Sequence, residues 1–375
     1  MIQIWWLLVS LEIDDLNFFI LKFYFLEMAY VPCAAHNIQL VIQDGMNLNI
    51  EFTSLINRIS KDIVCRTKNS MIIAEELRAF NKKLCKKNLT RWNSILFMIR
   101  SVLKVTPAEY IIIRSKMPYK TQAQKLAKKN FVITEKEREM LEDLQHVLLL
   151  FEFVTDEFQS NQISISRVIP CYNYLKKNLE SNQDAYQYTS ELRADLIESL
   201  ERRFGPMVQS ELCQVATFLD PNFGHKKFKG DLRLEVIHKV KLLLDKIVLK
   251  DNLQLSKNST SLHKSQIKRK NNYNSSESED ELIENSDLSE EIIKEYCKVV
   301  TITDEMCPLK FWKAYESRFP KLALLAKQFL SVQASSAAVE RMFSISGIIF
   351  SLKRRSMGIK HFCNLVFLKV NELFF

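Results

Sequence analysis

Glycine scarcity limits this chain more than any other feature: only six glycines occur in 375 residues, where average usage near 7% would supply roughly 26. Phosphate-cradling loops and tight β-hairpins need glycine where φ is positive or backbones approach closely. The six stand at positions 45, 205, 224, 230, 347 and 358. Neither the GxxxxGK[ST] nor the GxGxxG spacing can be built from them, which moves nucleotide-dependent enzymes down the list. A mostly helical fold is expected. Apolar residues make up 47% of the chain and include 24 phenylalanines, ample material for a buried core, so global disorder is disfavoured. The length fits two domains, or one large domain with an insertion.

The 53 Lys+Arg against 44 Asp+Glu give a net charge of +9, which favours polyanionic partners weakly at this length. Distribution says more: residues 81–130 hold thirteen Lys+Arg and one acid, Glu109. Eight cysteines at 33, 65, 85, 171, 213, 297, 307 and 363 form no CxxC pair, the usage of buried thiols in a reducing, intracellular compartment. Residues 1–30 are very apolar but lack a basic n-region and a small-residue cleavage site. Glu12, Asp14 and Asp15 interrupt the run, each costing about 2.5–3.5 kcal/mol inside a bilayer, so no membrane partner is expected.

Periodicity divides the remainder. MAYVP can form a short strand, and Ile38, Val41, Ile42 and Met46 put one apolar face on a helix closed near its end by Gly45. Amphipathic helices are expected over 49–80 and 90–105, the second with Thr90 as N-cap. Four or five long helical patterns fill 134–250, broken at Pro170, Gly205 and Pro221. Residues 251–292 turn polar and switch from basic to acidic, which reads as a disordered linker. Within it Lys264, Lys268, Arg269 and Lys270 form a basic cluster of the nuclear-import kind, and SSESEDE (275–281) offers serines to acid-directed kinases. Helices resume near Glu290, with dense apolar patterns over 320–330 and 336–347.

The candidate sites each carry a plain reading beside the functional one. Cys33 and His36 stand three apart, but zinc needs four ligands and no second pair has usable spacing; a buried thiol and a hydrogen-bonded imidazole suffice. Arg91 and Trp92 follow Lys82, Lys83, Lys86 and Lys87, a combination of phosphate-neutralising charge and π face that suits an unpaired base, although such a Trp is more often packed. Glu340, behind Ser335 and Ser336, reads on its own as a first-turn carboxylate favoured by the helix dipole.

Taken in order, CAAHNIQLVIQDG (33–45), LTRWNSILFM (89–98), SRVIPCYNYL (166–175), VATFLDPNF (215–223) and PLKFWKAYESRFPKLALLAKQFLSVQASSAAVERMFSISG (308–347) resemble the hAT superfamily of DNA transposases. Their spacing is similar to that of BED-type zinc finger proteins derived from such transposases. The resemblance implies an incomplete ribonuclease H-like α/β core over 31–130 and an all-helical insertion domain over 131–250. Beyond the linker, a C-terminal dimerisation region over 293–375 would complete the core. It also implies roles: Glu340 matches the glutamate of a two-Asp, one-Glu triad that holds two divalent metals. Arg91 and Trp92 match an RW motif that steadies a flipped base, and Cys33 and His36 match a CxxH signature of structural role.

The departures set the functional expectation. The first Asp of the triad is missing, the second has only Asp14 as a weak counterpart, and the BED finger is absent. The expected protein is therefore a transposon-derived relic without catalytic activity, located in the nucleus, that dimerises and contacts nucleic acid. No cofactor and no small-molecule substrate are expected; Mg²⁺ or Mn²⁺ would matter only with a complete triad. Phe311, Trp312, Phe319, Leu322, Leu325, Phe329, Met342 and Phe343 are the candidate surface for homodimer or hetero-association, while Lys86, Lys87, Arg91, Trp92, Lys353, Arg354 and Arg355 are the candidate DNA contacts. The alternative is an active transposase or nuclease whose first Asp and BED finger lie in an N-terminal extension.

Overall fold

A computed structural model describes residues 31–88, 91–160, 165–181, 187–259, 277–300, 306–350 and 357–370. The described residues are helical, with no strand among them. The mostly helical expectation stands, and the ribonuclease H-like α/β core finds no element here that carries it. The strand expected at MAYVP falls largely outside the described residues, and Val31–Cys33 is irregular. Two compact units divide the chain: Pro32–Phe158 with Cys171–Pro206, and Gln159–Pro170 with Met207–Phe375.

The first unit opens with α1 (Ala34–Leu48), which buries Ile38, Val41, Ile42 and Met46 as their spacing predicts. Gly45 does not close this helix. It lies inside it, and a Cβ there would meet Leu196 Cδ2 at 2.7 Å, so the glycine permits close helix crossing. The helix expected over 49–80 is divided: α2 (Ile50–Arg58), a π-helical turn (Ile59–Val64), α3 (Cys65–Asn69), a break at Ser70, and α4 (Met71–Ala79). The wider π turn buries five of its six residues. A coil over 82–88 leads to α5 (Asn93–Leu103), which starts at Trp92; Thr90, the expected N-cap, lies outside the described residues.

Thr106 and Glu109 form a capping box that starts α6 (Pro107–Lys116), and Thr121 with Gln124 forms another at α7 (Gln122–Asn130). The longest helix of this unit, α8 (Glu135–Gln159), buries Met140, Leu144, Val147, Phe151, Val154 and Phe158 along one face. It is tied to α5 by a bidentate Arg100–Glu152 pair at 2.7 and 2.6 Å. Neither Pro170 nor Gly205 breaks a helix as expected. Pro170 sits in the first turn of α9 (Val168–Ser181), where a missing N–H costs no intrahelical bond, and α10 (Ser190–Gln209) runs through Gly205 and Pro206 one turn before its end.

In the second unit α11 (Glu211–Leu219) is the centre, with every residue from Leu212 to Leu219 buried. Around it lie α12 (Gly230–Ser259), α13 (Glu277–Val299), α14 (Pro308–Tyr315) and α15 (Pro320–Leu330), followed by the hairpin of α16 (Ala337–Ile349) and α17 (Ile359–Val370). Residues 251–259 and 277–292, expected as linker, are helical extensions of α12 and α13. The basic cluster at 264–270 lies outside the described residues. The turn expected at Pro221 is present, and Gly224 follows it at φ +54°, where a Cβ would meet Val300 Cγ1 at 2.9 Å.

Candidate nucleic-acid and dimerisation surfaces

The basic stretch of the first unit is only partly available to a ligand. Lys82 is held by Glu109 at 2.7 Å, and Lys116 by Glu76 at 2.6 Å. Lys87 donates to Asn57 Oδ1 at 2.6 Å, and burial pushes its ammonium pKa down. Lys83, Lys86, Arg91 and Lys104 remain exposed. Trp92 is buried at 7% exposure, so its ring packs against the core and offers no face to an unpaired base. Lys353, Arg354 and Arg355 lie outside the described residues.

Cys33 occupies the N-cap of α1, where its carbonyl accepts the Asn37 N–H at 2.9 Å, and His36 is exposed one turn along. Glu340 is exposed in the first turn of α16, with its carboxylate accepting from Ser336 Oγ at 2.9 Å, while Ser335 Oγ accepts the Ala337 N–H. Glu340 thus stands as a first-turn acid of this helix, its carboxylate on the N-cap hydroxyl and not on a backbone N–H. Asp14 lies outside the described residues, and among those described no three His, Cys, Asp or Glu gather closely enough to hold a metal ion.

The proposed dimerisation residues separate into two classes. Phe311, Trp312, Phe319, Leu322, Leu325 and Phe329 are buried within their own chain and cannot form an interface while the unit is folded. The reason is Tyr296, which the sequence reading passed over. Its fully buried ring packs against Phe218, Trp312, Phe311 and Phe319 at centroid distances of 5.6, 5.2, 6.4 and 6.3 Å. The last carbonyls of α11 complete the cluster: Tyr296 donates to Phe218 O at 3.1 Å and Trp312 Nε1 to Leu219 O at 2.8 Å. These bonds satisfy groups that a helix end leaves without intrahelical partners.

Beside the cluster, buried Asp220 accepts from Ser166 Oγ at 2.6 Å and from Asn222 N and Nδ2 at 3.0 and 2.9 Å. Burial raises its carboxyl pKa, partly offset by these bonds and by Arg167. Thr217 Oγ1 adds a bond to Ser166 O at 2.9 Å. Three separated motifs, SRVIPCYNYL, VATFLDPNF and PLKFW, thus meet at one end of α11. Met342 and Phe343 belong to the other class. They lie on α16, where no residue is buried, and Phe343 is 55% exposed.

Residues 285–371, which contain most of α13 and all of α14–α17, match the hAT family C-terminal dimerisation region. This part of the chain is similar to the C-terminal region of hAT proteins. The human protein named Zinc finger BED domain-containing protein 4 is 21% identical over 367 residues, covering 92% of this chain and 29% of its own length. The chain thus spans less than a third of that relative. Both comparisons bear out the hAT resemblance read from the motifs. They also support self-association through the hAT region, of which the Tyr296 cluster forms the core. No helix among the described residues is long and apolar enough to cross a membrane.

Proposed function

We propose that this chain is a transposon-derived dimerisation protein of the nucleus, without catalytic activity, that contacts nucleic acid through its basic first unit. One observation carries the reading: the matched hAT dimerisation region folds here around a satisfied aromatic core, with Trp312 and Tyr296 bonded to the end of α11. A second copy of the chain is the partner. The test is co-purification of two differently tagged full-length copies expressed together; recovery of both tags supports the reading, and recovery of one refutes it.

Nucleic-acid contact rests on Lys83, Lys86 and Arg91, which neutralise phosphate without reading bases, so binding should weaken steeply with salt and show no sequence preference. The absence of catalysis is supported by Glu340, whose carboxylate accepts from Ser336 Oγ, and by the described residues, among which no three His, Cys, Asp or Glu gather closely enough to hold a metal ion. A DNA-nicking assay with Mg²⁺ or Mn²⁺ should show no cleavage; activity lost in Glu340→Gln would overturn this. The nuclear location is supported by the likeness to a zinc finger BED domain-containing protein and by the basic cluster at 264–270. A second reading, a transposase or nuclease completed by further sequence, is favoured by the 29% coverage of the relative. A longer transcript encoding an upstream Asp and a Cys/His finger would establish it.

A further inference from the structure

Several aromatic rings at the surface of this chain carry one of its own cations. Lys128 stands over Tyr119 at 5.2 Å, Lys136 over Tyr188 at 5.8 Å and Lys227 over Phe223 at 5.7 Å. The pair formed by Phe153 on α8 and Tyr174 on α9 does not. Its rings meet at 5.0 Å with their planes 55° apart and are 49 and 36% exposed, and among the described residues no Lys or Arg stands over either. One turn along α8 from Phe153, Asp156 is exposed and has no hydrogen bond or ion pair among the described residues. Residues three apart on a helix are neighbours, which brings this carboxylate beside the Phe153 ring. Glu152 is held through both oxygens by Arg100. Partial desolvation, together with the Glu152 and Glu157 charges, raises the Asp156 pKa, and a cation at this spot would relieve that crowding.

We propose that Phe153, Tyr174 and Asp156 form a docking site for an arginine side chain of a partner protein. The chemistry selects the ligand. A planar guanidinium stacks on an aromatic face and still offers in-plane N–H donors to a carboxylate, so one arginine answers the rings and Asp156 together. A lysine ammonium is a compact, strongly hydrated charge that satisfies the carboxylate and gains less from the rings. The two exposed rings supply the apolar surface and the α8 acids the complementary charge. This face therefore takes a partner opposite in sign to the one drawn by the basic stretch over 81–130. Both helices belong to the first unit, and the site uses none of the side chains assigned above to self-association or nucleic-acid contact.

The experiment is a saturation-transfer NMR titration of the full chain at low salt, with the capped tripeptide Gly-Arg-Gly as probe and its lysine and citrulline counterparts beside it. The arginine peptide should bind, the lysine peptide should bind more weakly, and the citrulline peptide, which keeps the shape and loses the charge, should not bind. Phe153→Ala, Tyr174→Ala and Asp156→Asn should each weaken the arginine peptide by about threefold or more. Tyr174→Phe, which keeps the ring, and Tyr119→Ala, at a ring elsewhere in the same unit, should bind as wild type. All four positions are exposed, so these variants should keep the fold. Equal binding of the arginine and lysine peptides would overturn the choice of arginine. No binding by wild type, or an affinity unchanged in the three weakening variants, would overturn the site.

Discussion

At the scale of single residues the strongest demands fall on Trp312 and Asp220. Trp312 is 1% exposed and its indole N–H closes the end of α11. Trp312→Phe removes that donor and leaves a gap, so a loss of about 2–4 kcal/mol is expected in urea unfolding, from an unsatisfied carbonyl and lost packing together. Asp220 works differently. Its pKa is raised above 3.8 in the folded protein by burial, so the folded state favours the protonated carboxyl. That contribution is full below the unfolded pKa and is lost as pH rises through the folded one. Unfolding of wild type and Asp220→Asn from about pH 3 to about pH 8 should show wild type losing stability relative to the variant as pH rises. A relative gain would contradict the burial argument. Neither role was visible in the sequence, because VATFLDPNF and PLKFW announce a family resemblance and not which carbonyl meets which donor.

At the scale of helices, periodicity was a good guide and punctuation a poor one. The apolar faces of α1, α8 and α15 lie where their spacing put them. Gly45 and Gly205, both expected as breaks, are interior, and the difference between them depends on neighbours far away in the chain. A Cβ at 45 meets Leu196 at 2.7 Å, whereas one at 205 meets nothing within 4 Å. Substitution to Ala should therefore have opposite signs: Gly45→Ala lowers stability by about 1–3 kcal/mol through overpacking, and Gly205→Ala raises it by up to about 1 kcal/mol through helix propensity. Thermal melts of the two variants check this. Composition misjudged 251–259 and 277–292 for a related reason. Polar residues disfavour a core, yet α12 and α13 pack along one another with Lys241 bonded to Glu290 at 3.2 Å, and tertiary support carries helices that composition alone would not.

At the scale of the whole molecule, eight apolar residues in one region read alike as core or interface, because both need large side chains on one helix face. Only folding separates Phe311, Trp312, Phe319, Leu322, Leu325 and Phe329, which are buried, from Phe343, which is not. The cysteines report on the same partition. Cys85, Cys307 and Cys363 are exposed, while Cys171 and Cys213 are buried and burial pushes the Cys213 thiol up to about 11. A thiol reagent should label the first three quickly and the buried pair only on unfolding.

Self-association is the property on which the proposed function depends. Sedimentation equilibrium of the full-length protein across the micromolar range tests this most directly. A reversible monomer–dimer equilibrium with the dimer dominant at the upper end is the expected result. A single 44.0 kDa species at every concentration would contradict it.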